Sequence, residues 1–439
     1  MTILAPMLIA LIAGTLATLL ACMPGLHIYN VLGLILWGLF RFMPGTSPEP
    51  ELTVAVIVAM ISAYAIGNSI PAILLAAPDE SALHTVLPGQ KMLLAGKGPQ
   101  AVMLTAYGSI GALLAILITM PILPSVLPVV YKVTRPHTHW IIWTIILFML
   151  LSEWPKPIPA GKRPLARFIL ANKAAAIGLI VFLLAGLLGF ILFFRAPLPS
   201  TNAFLNLMPA FVGLFTLPWL LLNTCSHLQP PPQDNPGHLA NIAALRQGTL
   251  AGILGGGLAA FFPVITGGVG GMLAGHATAL KNSDAFLVSQ GASKTVYYTG
   301  GILLFFMPGL HLARGGGGTM LRATVAPASP HLYWVAGGAA LLGGTIAILL
   351  QPLLINRVLA LVQHAGYRKI SIISAAIVIA LVALFSGWMG IWIMLIATGI
   401  GILPLLHGTR RMHGLGIILL PIAASMSGLA PTITRFLGL

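Results

Sequence analysis

The residues able to do chemistry in this chain are few, and most stand inside or beside long apolar runs. Asn68 and Ser69 interrupt one run, and Ser293, Lys294 and Thr295 interrupt another. A polar group in hydrocarbon is costly unless bonded, so these side chains either line a cavity or bond a neighbouring helix. Lys294 is a candidate for holding an anion; Lys281 and Asp284 nearby offer the alternative of a lysine at headgroup level. Pro24-Gly25 and Thr266-Gly267-Gly268 each follow a Gly-led apolar stretch and read as helix breaks. A helix broken at mid-membrane leaves N–H groups unsatisfied at a partly positive end, where a carboxylate or phosphate can be held without a buried cation. Arg314 precedes Gly315, Gly316, Gly317 and Gly318, which form either an anion nest or a flexible loop. The run lacks the Lys-Ser/Thr ending of a phosphate loop, so a nucleotide site is not expected.

His27 follows the first break and is either a proton-sensitive substrate contact or a hydrogen-bonded packing residue. Asp79-Glu80, next to Pro78, would bind or gate a coupling cation, pair with Lys91 or Lys97, or mark a turn. The carboxylates are Glu49, Glu51, Asp79, Glu80, Glu153, Asp234 and Asp284, and none is central in an apolar run, which argues against a buried carboxylate relay. His137, His139, His407 and His413 lie in basic loops without carboxylate or Cys partners, so no metal site is expected there. Cys22 and Cys225 have no partner at metal or disulfide spacing. No Ser/His/Asp triad or paired-carboxylate arrangement is legible, and neither catalytic residues nor a cofactor are expected.

These residues need elements to position them, and composition says which kind. Of 439 residues, 58% are hydrophobic and only 7% charged, against ~25% in soluble domains, with a mean hydropathy of +0.99. That excludes a soluble globular protein. Lys and Arg number 22 against 7 Asp and Glu, a net charge of +15, but the basic residues sit in short gaps between apolar runs. They read as loop charges that set topology and touch anionic lipid headgroups, not as a nucleic-acid surface. The first apolar stretch has no basic n-region or small-residue cleavage site and reads as a retained span in an integral, multi-pass protein of the cytoplasmic (inner) membrane. At ~20 residues per crossing, candidate spans are 3–20, 52–77, 101–130, 174–194, 205–222, 250–262, 286–307, 332–350 and a broken pair over 370–402. Stretches 31–40, 141–151 and 269–280 are half a membrane long. The expected fold is an all-α polytopic membrane protein with discontinuous or re-entrant helices, roughly 10–14 membrane elements in all. Many of the 49 Gly and 33 Pro fall inside apolar runs, as broken helices require.

A polar Pro-rich linker, 226–247, separates a first membrane repeat, 1–225, from a second, 248–439. The stretch from Gly14 to Gly25 lies against that from Gly252 to Pro263, each a Gly-led apolar helix ending at proline. Gly67-Asn68-Ser69 corresponds to the patch from Ser289 to Thr295, and basic turns, Lys162-Arg163 and Arg410-Arg411, close the halves. Paired interrupted segments of this kind point to a secondary-transporter site, whether the repeats are inverted or not.

Motifs in the first half then resemble a known family. The run Tyr64-Ala-Ile-Gly67-Asn68-Ser69-Ile-Pro71, continuing to Pro78-Asp79-Glu80, Pro88-Gly89, Lys91 and Gly96-Lys97-Gly98, resembles the tripartite tricarboxylate transporter TctA family, closest to its shorter, archaeal-type members. Asn68 stands where that pattern has a Gly, and Pro88-Gly89 where it has Asp-Gly. Met23-Pro24-Gly25-Leu26-His27, Leu310-His311-Leu312-Ala313-Arg314-Gly315 and Arg410-Arg411-Met412-His413-Gly414 extend the likeness over nearly the whole chain. The resemblance implies a permease for a di- or tricarboxylate, driven by a Na⁺ or H⁺ gradient, with a small membrane subunit and an extracytoplasmic binding protein as partners. Two other readings fit the same residues: a flippase for an anionic lipid such as a polyprenyl-phosphate, and an envelope scaffold docking through basic loops such as 156–173.

Overall fold

The computed structural model describes residues 4–42, 49–155, 163–198, 207–225, 230–234, 241–280, 282–327 and 329–439; Lys162, Lys281 and much of the expected linker lie outside these. The elements among them are helical. The first half holds α1 (Leu4–Ala21), α2 (Ile28–Phe42), α3 (Pro50–Gly67), α4 (Ser69–Leu74), α5 (Val86–Leu94), α6 (Gly98–Thr119), α7 (Leu123–Thr134), α8 (Thr138–Leu151), α9 (Pro164–Phe190), α10 (Met208–Phe211) and α11 (Leu217–Thr224). The second holds α12 (Ile242–Phe261), α13 (Gly267–Ala277), α14 (Ser283–Phe306), α15 (Gly315–Thr324), α16 (Pro330–His407), α17 (Gly416–Met426) and α18 (Ala430–Leu437).

Stretches Leu4–Ala21, Pro50–Leu74, Gly98–Thr119, Pro164–Arg195 and Pro330–His407 are long and apolar enough to cross a bilayer. Large apolar side chains such as Ile12, Leu114, Ile118 and Leu183 are exposed on them, a surface suited to lipid. The chain is an integral membrane protein. The half-length stretches form short helices, α2, α8 and α13. At 78 residues α16 would be roughly 117 Å long if straight, far beyond a bilayer, but Gly366 and Gly387 interrupt it in the left-handed conformation (φ 75° and 57°). It thereby contains both the expected 332–350 span and the broken pair.

Compactness does not follow the sequential halves. One unit comprises residues 1–132 and 220–376, the other 133–219 and 377–439, so each draws on both sides of the linker. The linker itself ends early: Asn241 Oδ1 accepts the Ala243 N–H and starts α12, making 242–247 helical. Linker residue Gln233 docks on the turn between α5 and α6, accepting from the Gly98 N–H (2.9 Å) and donating to Leu93 O (3.0 Å).

At the centre of the first unit is α14. Gly248, Gly252 and Gly256 recur every fourth residue along α12, and a Cβ at each would strike the carbonyl oxygen of Ala285, Ser289 or Ser293 on α14. On another side Gly108 of α6 meets Val288 O, and Gly291 of α14 meets Thr105 O. In lipid there is little hydrophobic force between helices, so small residues that bring backbones into van der Waals contact supply the association. They also seal the polar side chains of α14 inside the unit.

In the second unit, Pro218 in α11 has no N–H to give Leu214 O, and the backbone relaxes into a π-helical turn, Val212–Thr216. Arg411 Nη2 donates to the carbonyls of Leu214 and Phe215, with its guanidinium 5.1 Å from the Trp219 ring centroid. Glu153, in the loop after α8, is buried with Arg410 Nε at 3.8 Å and His413 Nε2 at 3.6 Å. Burial opposes its ionisation, but His413 and Arg410 outweigh burial and hold the carboxyl below its ordinary range.

Candidate functional site

Four chain breaks surround the polar side chains of the first unit, and each carries a left-handed residue. Gly25 (φ 82°) turns the chain between α1 and α2, Ala76 (φ 51°) after α4, Val264 (φ 62°) between α12 and α13, and Gly309 (φ 80°) and His311 (φ 48°) between α14 and α15. A β-branched residue such as Val264 is strained there, and such strain concentrates at functional sites. Met-Pro-Gly-Leu-His occurs at both 23–27 and 307–311, with its glycine left-handed each time.

The segment after α4 folds inward and delivers Asp79 to the interior, only 8% exposed. Asp79 Oδ1 accepts from the N–H groups of Ser81 (3.1 Å) and Ala82 (2.8 Å) and from Ser81 Oγ (3.0 Å). Oδ2 accepts from Asn68 Nδ2 (2.6 Å), Tyr64 OH (3.1 Å) and Tyr298 OH (3.3 Å). Lys294 Nζ lies 3.6 Å from Oδ2 and 5.6 Å from the centroid of the Tyr64 ring. Lys294 is eleven residues into α14, roughly 16 Å from its start, and is buried inside the unit.

His27 completes the network. Its Nδ1 accepts the Tyr29 N–H (3.1 Å), which assigns the ring proton of the neutral imidazole to Nε2. Nε2 then donates toward Tyr298 OH (3.1 Å), with Glu80 Oε1 at 3.4 Å and Asp79 Oδ2 at 3.9 Å. A continuous hydrogen-bonded path thus runs from His27 through Tyr298 to Asp79. Ligand atoms of His27, Asp79 and Glu80 lie within 4.8 Å of one another; with Nε2 protonated and Nδ1 taken by the Tyr29 N–H, the Asp79 and Glu80 oxygens are the ones with lone pairs to offer a cation. With His27 neutral, the formal charges are those of Asp79 and Glu80 against Lys294.

Beside Lys294 is a small cavity lined by Ser69, Thr85, Thr105, Ser109 and Gln290, among others, with about 10 Å³ open to the centre of a water molecule. That is room for one water. Gln290 is 2% exposed, and neither of its amide atoms has a hydrogen-bond partner among the described residues.

The structure therefore gathers His27, Asn68, Asp79, Glu80 and Lys294, with Ser69 on the adjoining cavity wall. Asp79 and Glu80 pair with Lys294 and His27 instead of Lys91 or Lys97, and Asp79 is buried although no apolar run surrounds it in sequence; the inward fold of its loop is the reason. Thr266 caps α13 by accepting the Val269 N–H, and Ser293 Oγ donates to Gly267 O, so both fix the break's position. Gly268 packs against Ser81 O, while Pro24 and Gly25 form the turn that presents His27. Thr295 makes no bond to Asp79 or Lys294 but supports the cavity wall, donating to Ser109 Oγ (2.9 Å). Arg314 stands outside the network too: it precedes α15, whose first residues are the glycine run, so that run is helix and not a free loop. Tyr29, Ser81 and Tyr298 escape sequence reasoning, because single hydroxyls at irregular spacing give no motif, and Tyr64 and Gln290 fall inside the quoted run and polar patch without being singled out. The repeated Met-Pro-Gly-Leu-His was the signal that two such breaks exist.

A family model described as the Tripartite tricarboxylate transporter TctA family matches residues 7–416. No curated protein and no solved structure matches the chain.

Proposed function

Because the chain belongs to the tripartite tricarboxylate transporter TctA family, a family of transporters, we propose that it is the permease that carries an organic carboxylate across the cytoplasmic membrane by alternating access. The observation that carries this reading is the Lys294–Asp79 pair beside a small cavity, where helix breaks from both halves of the chain converge. A carboxylate entering the cavity finds an ammonium whose close anionic partner is Asp79, and competes for it. The space is too small for any di- or tricarboxylate, so loading requires the surrounding helices to part, as alternating access demands. Asn68, Ser69, Thr266, Gly267 and Ser293 hold the breaks in place, and Asp79 and Glu80, with His27 hydrogen-bonded beside them, form the coupling-ion site for Na⁺ or H⁺. The order helix, break, short helix, long helix in α1–α3 and again in α12–α14 supports two repeats, although they interleave in space. A small membrane subunit and an extracytoplasmic binding protein are the expected partners, and the transport cycle needs no bond-making chemistry. No feature of the site favours the lipid-phosphate alternative.

The test is uptake of labelled carboxylates by protein reconstituted in liposomes under an imposed Na⁺ or proton gradient. Uptake is expected under one gradient and is abolished by Ser69→Leu and Gly267→Leu in folded protein. Gly267→Leu acts because any Cβ there sits 3.0 Å from Lys294 Cα. If no organic anion moves under either gradient, the reading fails.

A further inference from the structure

The cavity beside Lys294 has a lopsided supply of hydrogen-bond donors and acceptors. Ser69 Oγ donates to Ile66 O, Thr85 Oγ1 to Ala82 O, Thr105 Oγ1 to Val102 O and Ser109 Oγ to Thr105 O. A hydroxyl has one proton, so each of these can offer the cavity only a lone pair. Gln351 Nε2 and Thr295 Oγ1 already donate to Ser69 and Ser109, which leaves Thr85 and Thr105 the freer acceptors. Among the described residues, the wall donors without a hydrogen bond are the Lys294 ammonium, which is ion-paired with Asp79 but has further N–H groups, and the Gln290 amide N–H₂, while Gln290 Oε1 is an acceptor without a partner.

A carboxylate offers only lone pairs. One carboxylate can be matched by Lys294 and the Gln290 amide N–H₂. A second or third would face hydroxyl lone pairs, and next to the site stand Asp79 and Glu80 with Lys294 as their cation. Like charges brought together out of water are strongly disfavoured. A hydroxyl on the ligand, by contrast, supplies the proton that Gln290 Oε1, Thr85 and Thr105 lack.

Resting on the transporter reading above, we propose that this chain selects a short hydroxy-monocarboxylate over a fully ionised tricarboxylate. Lys294 holds the carboxylate, and Gln290 is the specificity-determining residue that bridges carboxylate and hydroxyl. Both side chains are buried and line the same space, the Gln290 amide without a hydrogen-bond partner among the described residues and Lys294 held by its ion pair to Asp79, so a ligand that displaces the water there is matched best if it brings one acceptor end and one donor group.

Thermal unfolding of the full-length protein in detergent at neutral pH, titrated with glycerate, succinate or citrate, tests this. Glycerate is expected to raise the unfolding temperature, and citrate to leave it unchanged. Gln290→Leu removes an unpaired amide and is expected to fold at least as well as the parent, yet to weaken glycerate binding about tenfold. Lys294→Met is expected to abolish the shift. A citrate shift that Gln290→Leu diminishes would overturn the substrate class while leaving organic-anion transport intact. A glycerate shift unaltered in Gln290→Leu, or no shift with any of the three acids, overturns it as well. Liposome uptake then separates the two readings, since movement of any carboxylate keeps the transporter and movement of none removes both.

Discussion

At the scale of single residues, the buried charges are the most sensitive points. Asp79 and Lys294 neutralise one another inside the first unit, and removing one partner leaves the other charge uncompensated. Asp79→Asn is expected to cost about 3–5 kcal/mol, measured as a fall in unfolding temperature or loss of folded protein. The double variant Asp79→Asn with Lys294→Met is expected to regain most of that stability and none of the transport. Glu153 offers a pH signature. Its carboxyl is held below the ordinary range, so the unfolded chain takes up its proton first as pH falls, and the stability that Glu153 supplies at neutral pH is lost as pH drops through the lowered value. Unfolding temperatures of Glu153→Gln and parent should therefore differ at neutral pH and converge in acid.

At the scale of elements, glycine placement decides where helices touch. A Cβ on Gly252 of α12 would strike Ser289 O, whereas one on the neighbouring Gly257 would meet nothing within 4 Å. Gly252→Leu is expected to cost about 3 kcal/mol or more by forcing α12 off α14. Gly257→Ala is expected to be neutral or to stabilise by up to about 1 kcal/mol, since it only improves helix propensity. Unfolding temperatures of the two variants measure the contrast. The chain breaks obey a different logic: proline and left-handed residues stop the helices, and the polar groups so freed are capped locally, as Thr266 caps α13.

At the scale of the whole molecule, a site with room for only one water implies motion. Ser69 is 6% exposed and lines a cavity sized for one water, so a cysteine there should be nearly closed to aqueous reagents at rest. In a Cys22→Ser, Cys225→Ser background, Ser69→Cys is expected to react slowly with a membrane-impermeant maleimide, at a rate that changes when a transported carboxylate is added. An unchanged rate with a substrate that is demonstrably transported would contradict access through this cavity.

By itself the sequence determined the class and the ingredients. Long apolar runs with 7% charged residues require helices in a membrane, because only internally bonded backbone survives in hydrocarbon. Proline and glycine inside those runs located breaks near Gly25 and Thr266, and the sparse polar residues marked His27, Asn68, Asp79, Glu80 and Lys294. Their company was decided only by the fold. That Asp79 answers Lys294 across a long sequence separation, that Tyr64 and Tyr298 share its carboxylate, and that Arg314 stands outside their network depend on how the helices pack, with small-residue contacts bringing α6, α12 and α14 together. Periodicity specifies which face of a helix is apolar, but in lipid both faces are apolar, so partner choice rests on backbone fit that no single segment encodes.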